Sequence, residues 1–236
     1  MKICALSDLH GYLPVLNITQ ADVYTISGDI VPLELQGNTL QSISWYLLRF
    51  LPWAENLPCK KVILIAGNHD FFFERIHKLK KSPFEVAGNE LLCCQKTTKV
   101  VYLEDDSLFY DGVEFYGTPW IPDLQNWAFY KDSASLTRVF DQIPENVGVL
   151  LTHTPPKVGK AGKVLQPSSF NFGADYGCQE LADAIAKKKP RYVLCGHVHS
   201  GDHEEFVTAE GVRVINVSTK NEDYLPTFKP TIIEIN

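Results

Sequence analysis

Five short apolar runs punctuate the chain, at residues 3–6, 23–27, 62–66, 147–151 and 192–195. Each is rich in Val, Ile and Leu and lacks a helical period, which predicts strands buried on both faces. Between them the spacing changes. In 38–51, Ile43, Leu47, Phe50 and Leu51 fall on one side of a helix; in 133–143, Leu136, Val139, Phe140 and Ile143 do the same behind a cap at Asp132 or Ser133. Cys178, Leu181 and Ile185 predict a third helical stripe. Two stretches alternate and turn, 100–117 at Asp111-Gly112 and 204–217 around Ala209 to Gly211, which predicts antiparallel hairpins. The mixture predicts layered α/β structure.

The polar residues that end the five runs carry more information than the runs themselves. The first ends in Asp8-Leu9-His10, the second in Gly28-Asp29, the third in Gly67-Asn68-His69-Asp70, the fourth in His153 and the fifth in Gly196-His197-Val198-His199. Ligands of open α/β sheets bind outside the carboxyl ends of the strands, so these distant segments are expected to meet at one crevice. In extended backbone, Asp-x-His and His-x-His each project two side chains to the same side, and glycines at 28, 67 and 196 allow a sharp exit from the sheet.

Taken singly, such residues are ordinary turn, cap or core groups. Together, Asp8, His10, Asp29, Asn68, His153, His197 and His199 have no common structural role. They are oxygen and nitrogen donors without a thiolate, too many for one ion and suited to two ions sharing a carboxylate. Mn or Fe fits the mixed imidazole and carboxylate set, as does Zn, better than Ca or Mg. Two divalent ions against two carboxylates leave a positive centre that acidifies bound water and attracts phosphate.

Composition narrows the remaining classes. With 236 residues, 45% hydrophobic and 21% charged, the expectation is one domain spanning 1–236. No apolar stretch approaches the roughly 20 residues of a membrane helix. The start places Asp8 and His10 where a signal segment would continue, so a cytoplasmic address is expected. The six cysteines include no C-x-x-C; Cys4 and Cys195 read as small hydrophobes in strands and the Cys93-Cys94 pair as structural. A net charge of -6 argues against a long nucleic-acid partner, and "KLKK" (78–81) and "KKK" (187–189) read as solvated helix surface.

The ordered pattern D-x-H, G-D, G-N-H-D, H and G-H-x-H over residues 8–199 resembles the calcineurin-like metallophosphoesterase superfamily. The resemblance implies a four-layer sandwich of two packed mixed β-sheets flanked by helices, with a dinuclear centre at the strand ends. It implies that Asp8, His10, Asp29 and His199 hold one ion and that Asp29, Asn68, His153 and His197 hold the second, Asp29 bridging. His69 becomes the catalytic histidine, Asp70 the group that orients His69 or its loop, and Asn68 and His69 face the substrate. The implied reaction is in-line attack on phosphorus by a hydroxide shared between the ions, with His69 protonating the leaving oxygen.

Further stretches, "YGTPW" (116–120), "NWAF" (126–129), "LLTHTPP" (150–156), "GCQEL" (177–181) and "INVST" (215–219), resemble metallophosphoesterase-domain proteins first described from brain and their bacterial relatives. Some of that group lack the first histidine of G-H-x-H; His197 is present here. Protein phosphatases of the superfamily carry G-D-x-x-D-R-G, whose arginine grips phosphate, whereas "GDIVPLE" (28–34) has Pro32 and Leu33 at the D-R positions. The expected substrate is a small phosphodiester, a 2',3'-cyclic nucleotide being the candidate. A phosphomonoesterase and a non-catalytic protein-binding scaffold are the rivals.

Trp120 and Trp127 flank a segment expected near the cleft. Either ring, Trp120 or Trp127, is a candidate platform for a base, against a plain core role. The long connection 154–177 is either a substrate loop bringing Lys157, Lys160 or Lys163 to phosphate, or a surface loop. His77 reads as a surface histidine and His203 as a loop residue or a substrate contact.

Overall fold

The computed structural model describes residues 1–16, 20–79 and 98–235; Cys93-Cys94 and the end of the "KLKK" run lie outside them. One sheet contains β1 (Lys2–Leu6), β2 (Val23–Ser27), β3 (Lys61–Ile65), β4 (Val100–Tyr102) and β11 (Thr231–Glu234), in the order β11-β1-β2-β3-β4. The other contains β5 (Asp106–Tyr110), β6 (Val113–Thr118), β7 (Val149–Thr152), β8 (Tyr192–Cys195), β9 (Phe206–Val207) and β10 (Arg213–Asn216), in the order β5-β6-β7-β8-β10-β9. Both are mixed. The strands β1 to β4 run parallel with β11 antiparallel at the edge, while β6, β7, β8 and β10 run parallel between antiparallel β5 and β9.

The apolar runs are continuous because each strand buries both faces. Ile3, Ala5, Ile63 and Ile65 of the first sheet meet Val149, Leu151, Leu194 and Ile215 of the second in an inter-sheet core. Their alternating neighbours, Cys4, Leu6, Val62, Leu64, Leu150 and Val193, belong to the core under the helices. The hydroxyl of Ser27 crosses between sheets and donates to the Leu194 carbonyl at 2.9 Å.

The predicted helix 38–51 is three pieces: α1 (Thr39–Trp45), a π-helical turn (Tyr46–Phe50) and α2 (Leu51–Glu55). Pro52 lacks the N–H that would bond the Leu48 carbonyl, so the helix widens ahead of it. Next come α3 (Phe71–Leu79), α4 (Ser133–Phe140), which Asp132 caps through Ser135 N–H at 2.7 Å, and α5 (Gln179–Lys188). No helix among the described residues is long and apolar enough to cross a membrane.

The hairpin expected over 100–117 divides. Residues 106–118 form it, turning at Asp111 (φ 49°) and Gly112 (φ 80°), but β4 pairs in parallel with β3 in the other sheet. Asp105, left-handed at φ 50°, takes the chain from one sheet to the other. The 204–217 hairpin is β9 and β10.

Candidate metal centre

The parallel pairing of β1 and β2 continues past their ends. Asp8 N–H donates to the Gly28 carbonyl (3.0 Å), His10 N–H to Asp29 (2.8 Å) and Gly11 N–H to Ile30 (2.9 Å). The backbone there is not extended. Asp8, His10, Asp29 and His197 are left-handed at φ 56°, 41°, 52° and 68°, at a cost of about 1 kcal/mol or more each. For His197 and His199 this corrects the picture of alternate residues projecting together, since the turn at His197 sends them to different partners; Asp8 and His10 do meet, both at His199.

One group of donors forms around His199. Its Nε2 lies 3.2 Å from His10 Nε2 and 3.5 Å from Asp8 Oδ1. The second forms around Asn68, whose Oδ1 lies 2.9 Å from His153 Nε2 and 2.8 Å from His197 Nδ1. Asp29 joins them: its Oδ2 is 3.6 Å from His10 Nε2, 3.4 Å from His153 Nε2 and 3.8 Å from His69 Nε2. Its Oδ1 accepts the His69 backbone N–H at 2.8 Å, which turns Oδ2 toward the histidines. All seven sequence candidates are therefore within one cluster, and all but His197 are buried.

The surroundings orient these donors. His153 Nδ1 donates to the Ser27 carbonyl and His199 Nδ1 to the Asn221 carbonyl, each at 2.9 Å, which turns Nε2 inward. Asp8 accepts the His197 backbone N–H and the Ser218 hydroxyl. His10 differs: Nδ1 is buried with no hydrogen-bond partner among the described residues, and the rings of His69 and Tyr224, at 4.8 and 4.9 Å, orient it.

Burial acts first on every one of these groups. It depresses His10 to about 3, and with His153 nearby depresses His197 to about 3, so both are neutral lone-pair donors. Burial also lowers His69. At His153 the attraction of Asp29 outweighs burial and raises the ring to about 9; at His199, Asp8 does the same. Conversely, burial raises Asp8 and Asp29, but His199 and His153 respectively overcome it and hold both carboxyls below their ordinary range. Two imidazole nitrogens 3.2 Å apart must share a proton or a cation. The chemistry of this donor set, imidazoles with ionised carboxylates and an amide oxygen, fits a pair of transition ions, which would take the place of the protons that Asp29 and Asp8 draw onto His153 and His199.

Asp70 is fully buried and touches no ligand donor. Its carboxylate accepts the backbone N–H groups of Ile30 (3.0 Å), Val31 (3.0 Å) and Gly67 (2.9 Å), tying the loop after β2 to the loop after β3. Burial, then Asp29, push it up to about 7 against these donors. The His69 ring opens on a cavity of about 220 Å³ whose walls include Trp127, Leu124, Glu222 and Tyr224.

Trp120 does not reach this cavity. It is buried, donates Nε1–H to Asp105 at 2.7 Å and lies beneath Lys131 Nζ at 3.6 Å, so the substrate-platform expectation gives way to a packing role, and Trp127 takes the cavity wall. Lys157, Lys160 and Lys163 do not line it either. Their loop instead braces the wall, Gln166 bonding Glu222 N–H (3.1 Å) and the Asp223 carboxylate (2.8 Å). His77 is exposed and pairs with Glu104, and His203 bonds the His199 carbonyl at 3.2 Å beneath Phe228.

Sequence reasoning missed Gln36, whose Oε1 meets His69 Nδ1, and the segment after β10, which supplies Ser218, Asn221, Glu222 and Tyr224. The strand-end rule that found the other five segments also covers β10, but its exit carries no Asp or His within two residues of the strand.

Comparison with known proteins agrees with this geometry. Human "Metallophosphoesterase domain-containing protein 1" is 27% identical over 253 aligned residues, covering 99% of this chain and 71% of its own. "UPF0046 protein T07D4.2" of Caenorhabditis elegans is 32% identical over 192 residues, covering 73% and 46%. A solved dimetal phosphatase from Danio rerio shares the fold with a TM-score of 0.53 at 12% identity, over 98% of this chain and 91% of that one. The family model described as "Calcineurin-like phosphoesterase" matches residues 1–201, and the chain belongs to that family.

Proposed function

We propose that this chain is a two-metal phosphoesterase that hydrolyses a small phosphodiester. The observation that carries the reading is the place of Asp29 Oδ2, within 3.4 to 3.8 Å of three histidine nitrogens and between the two donor groups. Asp8, His10, Asp29 and His199 would hold one ion, and Asp29, Asn68, His153 and His197 the other; Mn or Fe suits the set, as does Zn. Bound there, the ions supply Lewis acidity toward phosphoryl oxygens and lower the pKa of coordinated water.

The protein's own part is orientation and proton transfer. His69, which lines the cavity, gives a proton to the leaving oxygen. Trp127 and Tyr224 line the cavity, and their rings suit stacking with the base of a nucleotide such as a 2',3'-cyclic one, whose leaving group is a ribose oxygen. No Lys or Arg lines the cavity among the described residues, and Glu222 does. A diester carries one negative charge where a monoester carries nearly two, so this wall favours the diester.

A Mn-loaded panel of bis-p-nitrophenyl phosphate and p-nitrophenyl phosphate tests the reading. The diester is expected to turn over with a kcat/KM at least about ten-fold higher, about 1.4 kcal/mol of discrimination. A monoester preference would overturn the diester assignment.

A further inference from the structure

His69 needs a single orientation to act on a leaving oxygen, and, besides the edge of the His10 ring at 4.8 Å, three contacts hold it. Its backbone N–H is held by Asp29 Oδ1 at 2.8 Å, Trp127 lies against its ring with centroids 4.4 Å apart, and its Nδ1 meets Oε1 of Gln36. The first two fix where the ring sits. Neither decides which nitrogen of the neutral ring carries hydrogen. A carboxamide oxygen only accepts, so its contact requires hydrogen on Nδ1 and confines proton exchange to Nε2, the nitrogen 3.8 Å from Asp29 Oδ2.

We propose that Gln36 is a positioning residue of this site: its carboxamide oxygen holds His69 with hydrogen on Nδ1, leaving Nε2 to exchange protons with the leaving oxygen. The inference rests on the phosphoesterase reading above. For the transfer the ring first takes a proton from solvent at Nε2; as the bond from phosphorus to the leaving oxygen breaks, that Nε2 proton passes to the oxygen, and the ring returns to neutral with its Nδ1–H still donating to Gln36 Oε1. A neutral carboxamide does this without placing another negative charge beside Asp29.

The support behind Gln36 is firm. Leu35 N–H donates to the Pro32 carbonyl at 3.0 Å, and the Leu35 carbonyl accepts from Asn38 N–H and from the Ser42 hydroxyl, each at 2.8 Å. Asn38 in turn caps α1 through Gln41 N–H. The loop is thereby fastened to a helix start, and Gln36 reaches His69 from a fixed base rather than a free loop.

Gln36→Leu keeps the bulk and removes the acceptor; Gln36→Glu keeps an acceptor. Two readouts on the full Zn-loaded chain test the proposal. Long-range nitrogen-proton NMR of the histidine rings should find His69 protonated at Nδ1 in the parent and in Gln36→Glu, and a mixture of tautomers in Gln36→Leu. Diesters with alkyl and with p-nitrophenyl leaving groups should separate, because only a poor leaving group needs the acid. Gln36→Leu should lower kcat for the alkyl diester about ten-fold or more, with less than about three-fold for the p-nitrophenyl diester and little change in KM. Gln36→Glu should recover most of that loss.

An equal fall for both leaving groups, or an unaltered tautomer in Gln36→Leu, would overturn the proposal and leave the phosphoesterase reading standing. A parent that turns over neither diester would overturn that reading and the proton transfer with it, while the spectra would still decide whether Gln36 sets the tautomer.

Discussion

Asp70 accepts three backbone N–H groups from two different loops and is fully buried. Removing its carboxylate would leave those donors in the interior without an acceptor, at about 1 to 3 kcal/mol each. Asp70→Ala is therefore expected to lose at least about 3 kcal/mol of stability, which lowers Tm by about 6 °C or more in a chain of this size. Asp70→Asn, which retains an acceptor oxygen, should lose less. Thermal unfolding followed by circular dichroism checks both; an Asp70→Ala variant that melts with the parent would show that water replaces the clamp. The same residue marks a limit of sequence reading. Asp8, His10, Asp29, Asn68, His153, His197 and His199 were legible because each lies within a few residues of an apolar run. The resemblance implied that Asp70 orients His69 or its loop, but that it also grips Ile30 and Val31 of the facing loop was not legible, since a side chain's aim depends on the loop that faces it.

At the scale of elements, the centre exists because strand exits approach one another closely. A Cβ on Gly196 would collide with Ser7 Oγ and with the Asp8 carboxylate, and one on Gly67 with Asp29. Gly196→Ala is expected to push the exit of β8 off that of β1, at about 1 to 3 kcal/mol of overpacking, and to lower the ions retained per chain after dialysis. Gly211→Ala is the control. It is left-handed, at φ 86°, so an alanine there carries backbone strain of its own, but its Cβ meets open space in the β9–β10 turn, far from the donors, and metal content should stay at the parent's level. Full metal content in Gly196→Ala would contradict the close-approach argument. The five strands were readable from their apolar runs, and α4 and α5 from their stripes. The break at Pro52 and the move of β4 into the first sheet were not, because pairing partners lie far away in sequence and a three-residue strand has too little pattern to name its sheet.

Over the whole molecule, two sheets with one inter-sheet core present strand ends at a common edge, and the family's layered fold follows from burying both faces of each sheet. That arrangement lets residues from 8 to 224 meet around Asp29. The ordered strand-end motifs are enough to imply this architecture. The cavity wall of Glu222 and Tyr224 stayed hidden, because it is set by a loop after β10 that has neither periodicity nor ligand spacing.

The proposed sharing of Asp29 by two ions is open to direct measurement. Metal content per chain, measured side by side on the purified parent and on Asp29→Ala after equal exposure to Mn, tests it most directly. About two ions are expected in the parent and close to none in Asp29→Ala, because both positions lose a ligand at once. A variant that keeps one full ion, or a parent that binds none, would contradict it.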